Sequence, residues 1–274
     1  MDFQLQVLIN MQLIDTHCHL YMEQFDLDVD EVITNATSKN ISKIVVPGVD
    51  IISSQRAITL AEKYSNVFAA VGIHPNEGNK WEKCTFTEIS ELANHPKVVA
   101  IGEIGLDFHW DDCPKNLQQE IFEKQLDLAK IKCLPVIIHS RNSLNNVIIT
   151  IQNWKSGSQF NRTKELSGIL HSFEGDLESA QVATDLGFLI GIGGPVTYKN
   201  SIDKQNIAEK LDLNWIVLET DAPFLSPHPF RGKRNKPEYI NLIAEKIAQI
   251  RKTQIKLISQ ATTKNADKLF AWEP

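Results

Sequence analysis

Short runs rich in β-branched residues alternate with longer amphipathic runs along almost the whole chain, and this alternation constrains the fold more than any other feature. The apolar runs cover residues 13–18, 43–46, 67–72, 98–102, 135–139, 168–171, 187–190 and 215–218. The clearest helical run is 115–132, which places Leu117, Ile121, Phe122, Leu128 and Ala129 roughly on one face. Further helices are predicted over 28–39, 53–64, 87–94, 176–186 and 201–211, and two more, 237–251 and 253–270, follow the last strand. Strands separated by helices must run parallel and be joined by right-handed crossovers. Eight such units in 274 residues fit a closed (β/α)8 TIM barrel of the metal-dependent hydrolase type. A doubly wound open sheet would carry a glycine-rich phosphate loop after its first strand. Here that strand ends in Asp15-Thr16-His17-Cys18-His19, which is metal chemistry.

Composition narrows the function classes. The net charge of −6 argues against a protein that coats nucleic acid, yet permits a pocket that grips one or two phosphates. No apolar run approaches the roughly 20 residues that span a bilayer, and residues 1–10 lack a secretory signal pattern. The expectation is a cytoplasmic protein without membrane contact. Cys18, Cys84, Cys113 and Cys133 form no CxxC pair and read as reduced, structural residues. Residues 1–12 read as an N-terminal extension, and 13–274 as a single barrel domain, with a polar stretch at 159–165 as a lengthened loop before strand six.

The polar residues fall at strand ends. His17 and His19 close strand one, His74 follows strand three, Glu103 strand four, His139 and Arg141 strand five, His171 strand six, and Glu219 and Asp221 strand eight. In a barrel these ends converge on one face, where active sites are built. Side chains two apart share a strand face, so Asp15, His17 and His19 are expected together, as are His139 with Arg141 and Glu219 with Asp221. Ionised groups gathered in a core are costly unless cations neutralise them. The expected ligands are His17, His19, Glu103, His139, His171 and Asp221, too many for one tetrahedral ion with an open position. We therefore expect two divalent ions, one on His17, His19, Glu103 and Asp221, the other on Glu103, His139 and His171, with Glu103 bridging. The donor set suits Mg2+, Zn2+, Mn2+ or Ni2+ alike.

Taken in order, the motifs Leu13 to Leu20, Gly72-Ile73-His74-Pro75, Ile101 to Asp107, Pro135 to Arg141, Ile169 to Gly175, Gly193 to Thr197, Leu218 to Pro223 and Arg231 to Pro237 resemble the TatD family of metal-dependent deoxyribonucleases. The likeness runs from about Leu13 to Phe270. It implies hydrolysis of DNA phosphodiesters, often from the 3′ end, with divalent metal. It also implies that Asp221 orients or deprotonates the attacking water, that His74 and Arg141 contact substrate, and that Arg231, Lys233 and Asn235 are phosphate ligands. Asn142 stands where many members place an acidic residue.

Charge counting agrees with an anionic ester. Two divalent ions less Glu103, Asp221 and a bridging hydroxide leave roughly one positive charge before the basic residues are added. The expected step is in-line attack by metal-bound hydroxide, with Arg141 on the non-bridging oxygens, and with Glu219 and Asp15 as carboxylates that fix ligating histidines. The expected substrate is single-stranded DNA or a 3′ end, bound by a monomer. The rival activity is an amidohydrolase or D-aminoacyl-tRNA deacylase acting on a C–N or ester bond, although such dinuclear sites often carry a modified lysine where this chain has Glu103. A scaffold that has lost the chemistry should lack at least one ligand; all six are present.

Overall fold

The computed structural model describes residues 11–156, 166–270 and 272. Residues 1–10 of the expected extension and the stretch 159–165 lie outside the described residues. Eight strands, β1 (Leu13–Asp15), β2 (Ile41–Pro47), β3 (Val67–Val71), β4 (Val98–Asp107), β5 (Val136–Arg141), β6 (Gly168–Leu170), β7 (Phe188–Ile192) and β8 (Ile216–Leu218), pair in sequence order and all in parallel. The ring closes where β1 meets β8. Thr16 N–H donates to the Leu218 carbonyl at 3.1 Å, Asp221 N–H to His17 at 2.8 Å, and Cys18 bridges Ala222. The closure therefore sits at the level of the expected metal ligands.

One residue from every strand (Ile14, Val45, Phe68, Val99, Ile137, Ile169, Leu189 and Val217) joins a single apolar cluster, as a filled barrel interior requires. Two residues further along, on the same inward face, come His139 after Ile137, His171 after Ile169 and Glu219 after Val217. The interior thus changes from apolar to ionisable as it reaches the carboxyl ends.

The helices are α1 (Val29–Ser38), α2 (Ile51–Lys63), α3 (Thr85–Leu92), α4 (Lys115–Lys132), α5 (Leu144–Ser156), α6 (Leu177–Asp185), α7 (Ile202–Lys210), α8 (Ile240–Ile250) and α9 (Ile255–Leu269). Helix α4 matches its predicted span at both ends and buries Ile121, Phe122, Leu126, Leu128 and Ala129. Phe122 is wholly enclosed. Phe122→Ala is expected to cost about 3–5 kcal/mol, because the emptied volume cannot fully collapse, and urea unfolding would read this directly.

The sequence reading lacks α5. Its run Val147-Ile148-Ile149-Thr150-Ile151 is β-branched and has poor helix propensity. Packing decides instead, because Val147, Ile151 and Trp154 recur at helical spacing and are buried. At the other boundary Met11 is buried, and the Gln12 carbonyl accepts from Ser259 (2.8 Å) and Thr263 (2.7 Å) of α9. Residues 11 and 12 are thus docked on the barrel and pack as part of it, inside the 1–12 span expected for the extension. No helix among the described residues is long and apolar enough to cross a membrane.

Candidate metal centre

Glu103 stands at the centre of the site. The pairing of β4 with β5 shifts register between Ile101 and Ile104, and the Glu103 N–H is held by the Gly48 carbonyl at 2.9 Å. Gly105 makes the close approach possible. Its φ is 142°, and a Cβ there would lie 2.1 Å from the His139 carbonyl oxygen.

The two Glu103 oxygens face different partners. Oε2 lies 3.3 Å from His17 Nε2 and 3.6 Å from His19 Nε2. Oε1 lies 2.9 Å from His139 Nδ1 and 3.1 Å from His171 Nε2. The two imidazoles of β1 come within 3.1 Å of each other at Nε2, and Asp221 Oδ1 sits 3.5 Å from His19 Nε2 and 3.8 Å from His17 Nε2. All six expected ligands therefore converge. Glu103 and His139 lie within β4 and β5, and the other four come from the segments that follow β1, β6 and β8.

The strand alternation reaches less far than expected. Strand β1 stops at Asp15 and β8 at Leu218, and Asp221 is turned inward by a left-handed backbone, φ 56°, which aspartate tolerates better than most residues. Asp15 also departs from its expected role. Its carboxylate accepts from Thr220 N–H at 2.9 Å, Thr220 Oγ1 at 2.6 Å and the His17 backbone at 3.3 Å, so it fastens β1 to the turn carrying Asp221 and touches no imidazole nitrogen. Burial pushes this carboxyl up to about 8 against those donors. Glu219 does lie behind a histidine, 3.5 Å from His171 Nδ1, while it also accepts the Ser172 N–H.

The electrostatics follow from this crowding. Burial raises the Glu103 carboxyl, but His171 and His17 outweigh it and hold the group well below the usual carboxylate range. Burial opposes a charge on His171, yet Glu103 and Glu219 raise it well above the ordinary imidazole value. His17, enclosed beside His171, is lowered. His74 is pushed down to about 3 by burial and by His139. Its Nδ1 accepts from Asn76 N–H at 3.2 Å, which leaves a neutral ring with its Nε2–H turned toward Glu103 Oε1, 3.8 Å away.

The donor set fits divalent cations. Atoms bound to one ion at 2.0–2.2 Å stand roughly 3–3.6 Å apart, and the nitrogen–oxygen separations around Glu103 fall at 2.9–3.6 Å. His17, His19 and Asp221 form one such group, and Glu103, His139 and His171 another.

Asp107 is the main residue the sequence reading misses. Its Oδ2 faces His139 Nε2 at 3.1 Å and accepts from the Asn76 side-chain amide at 3.3 Å, and Oδ1 accepts the His109 N–H at 2.9 Å. Burial raises this carboxyl, but the bond from His139 and the His109 N–H outweigh it and hold it at about 2. His139 thus lies between two carboxylates, one on each ring nitrogen. The signal was the length of β4: once the strand runs to Asp107, Glu103, Gly105 and Asp107 share its period of two. Asp107→Asn would remove the charge and leave one acceptor oxygen to serve the His139 ring, the Asn76 amide and the His109 N–H. We expect metal affinity to fall about 10- to 100-fold, checked by chelator competition.

The expected substrate contacts divide. His74 and Arg141 line a pocket of about 630 Å3 whose walls also include His19, Glu103, His139, His171 and Asp221. Arg231, Lys233 and Asn235 do not line it. Arg231 lies over the Tyr198 ring at 4.5 Å, and Lys233 lies 6.0 Å from the Phe230 ring. Asn235 is fully buried; its amide donates to the Thr220 and Phe224 carbonyls, both at 2.7 Å, and its oxygen accepts from Lys236 N–H. With its donors spent, it shapes the turn that presents Asp221 instead of binding phosphate.

Residues 14–271 match the family model described as TatD related DNase. The chain is 41% identical over 258 residues to the uncharacterized metal-dependent hydrolase YabD of Bacillus subtilis, covering 94% of this chain and 98% of that one. It is 30% identical over 263 residues to the 3'-5' ssDNA/RNA exonuclease TatD of Salmonella typhimurium, covering 94% and 98%. The crystal structure of the Escherichia coli TatD homolog YjjV superposes with a TM-score of 0.87 at 33% identity, over 94% of this chain and 97% of that one.

Proposed function

Because the chain belongs to the family of TatD-related deoxyribonucleases and is a metal-dependent hydrolase, we propose that it cleaves phosphodiester bonds of DNA, removing nucleotides from the 3′ end of a single strand. The observation that carries this reading is the division of Glu103, whose two oxygens address separate histidine sets. The exonuclease name of the Salmonella relative supports the choice of substrate.

His17, His19, Glu103 and Asp221 would hold one divalent ion, and Glu103, His139 and His171 the second. Such ions supply an activated water and neutralise charge on a phosphoryl group. The chain's own residues do the rest. Asp221, on its left-handed turn, accepts the proton of the attacking water and orients its lone pair toward phosphorus; as the new P–O bond forms, the bond to the leaving sugar oxygen breaks and that oxygen takes up the proton. His74 offers its Nε2–H, and Arg141 its guanidinium, to the non-bridging oxygens, where negative charge spreads in the transition state. Asp107 and Glu219 keep His139 and His171 in register from behind. One chain provides every one of these groups, so a monomer is sufficient.

The test is hydrolysis of single-stranded DNA by metal-stripped protein, with Mg2+, Mn2+ or Zn2+ restored and products resolved by length. Stepwise loss of nucleotides from the 3′ end, dependent on added metal, is the expected result. Protein that holds two ions and cleaves no DNA would overturn the phosphodiester reading in favour of C–N or carboxylic ester substrates.

A further inference from the structure

We infer that Trp110 and Phe224 are stacking platforms for the two nucleobases that flank the cleaved linkage, an inference that rests on the phosphodiesterase reading. Trp110 follows β4 and Phe224 follows β8, strands four apart in a ring of eight and hence on opposite sides of the mouth. Both side chains line the metal pocket, and both are wet: Trp110 is 51% exposed and Phe224 45%. Phe25, Phe122 and Phe188, by contrast, are wholly enclosed.

Each platform is tied to the reacting centre. The Arg141 guanidinium carbon lies 5.6 Å from the Trp110 ring, and the His109 ring meets it edge-on at 4.6 Å. The Phe224 ring lies 6.2 Å from that of His19, and Phe224 N–H donates to the Asp221 carbonyl at 2.8 Å. The Asn235 amide holds the Phe224 carbonyl in place.

Charge at the rim shows why base contacts are needed. Arg141 is the one lysine or arginine among the described lining residues, while Glu77, Asp112 and Glu174 add carboxylates. Among the described lining residues, therefore, no cationic track follows the phosphate backbone, and Arg141 beside the proposed metal ligands is the side chain that offers positive charge. Affinity beyond the reacting phosphate has to come from the bases. Aromatic faces supply it without regard to sequence, because every base has a π-face. A paired and stacked base cannot lie on either ring, so the arrangement selects single strands and frayed ends.

The test is fluorescence anisotropy of metal-loaded protein with two dye-labelled, phosphorothioate-linked oligomers of equal length, an oligothymidylate and a base-free sugar chain. The expected result is about tenfold or greater preference for the oligothymidylate. Trp110→Ala and Phe224→Ala should each erode that preference about 5- to 100-fold in affinity, up to its complete loss, and Trp110→Phe should retain most of it. Equal binding of the two oligomers by the wild-type protein, or a preference unchanged in both alanine variants, would overturn the inference. Binding is scored whether or not the oligomers are cut, so failure of the nuclease reading shows separately, as the absence of metal-dependent cleavage of ordinary DNA.

Discussion

Glu103→Ala should lose about 10³-fold or more in the hydrolysis rate, with bound metal falling from two ions per chain to one or none. The carboxylate is nearly inaccessible to solvent and lies within 3.6 Å of nitrogen atoms from four histidines. Removing it takes an oxygen from each proposed ion at once and leaves the imidazoles without the charge that holds them together. Elemental analysis and steady-state hydrolysis on the same preparation would check both parts. A variant that keeps two ions and full rate would show that Glu103 bridges nothing. Helical circular dichroism should match the parent, because the barrel is closed by backbone bonds at Thr16, His17 and Cys18 that do not involve this side chain.

Asp221→Asn should lower kcat about 10²- to 10³-fold while KM changes little. Asparagine is nearly the same size and accepts the left-handed backbone at this position, φ 56°, so the turn should survive. What it loses is the ability to take a proton from water. The ion proposed on Glu103, His139 and His171 should remain, since Asp221 is not in that group. A variant with intact kcat and weakened KM would recast Asp221 as a binding residue.

Both predictions rest on residues that the sequence exposes to view, and there is a physical reason why. Parallel strands in a barrel carry apolar runs, so a histidine or carboxylate at the end of such a run stands out, and the topology brings all the ends together. Helix α4 is legible for a similar reason, since its apolar spacing and its boundaries agree. Where local and tertiary preferences conflict, legibility fails. Helix α5 is built on a β-branched run that only packing makes helical. Asp107 is hidden by the end assigned to β4, which runs five residues past Gly102.

The basic loop illustrates a different limit. Arg231, Lys233 and Asn235 follow the same strand as Asp221 does, but proximity in sequence does not settle where a long side chain points. Asn235 is consumed by backbone carbonyls, and Arg231 lies on Tyr198. Asp15 shows the same effect at shorter range. Two residues from His17, it bonds across the barrel seam to Thr220. Trp110 and Phe224 could not be singled out, because an aromatic residue in a loop gives no sign of its exposure until the fold places it.

The most direct measurement of the dinuclear account is stepwise loading of metal-stripped protein with Mn2+, following bound ions by elemental analysis and single-stranded DNA hydrolysis on each sample. The account predicts that the activity develops with the second ion and reaches its plateau at two per chain. Full activity at one ion per chain, or two ions bound with no cleavage of DNA, would contradict it.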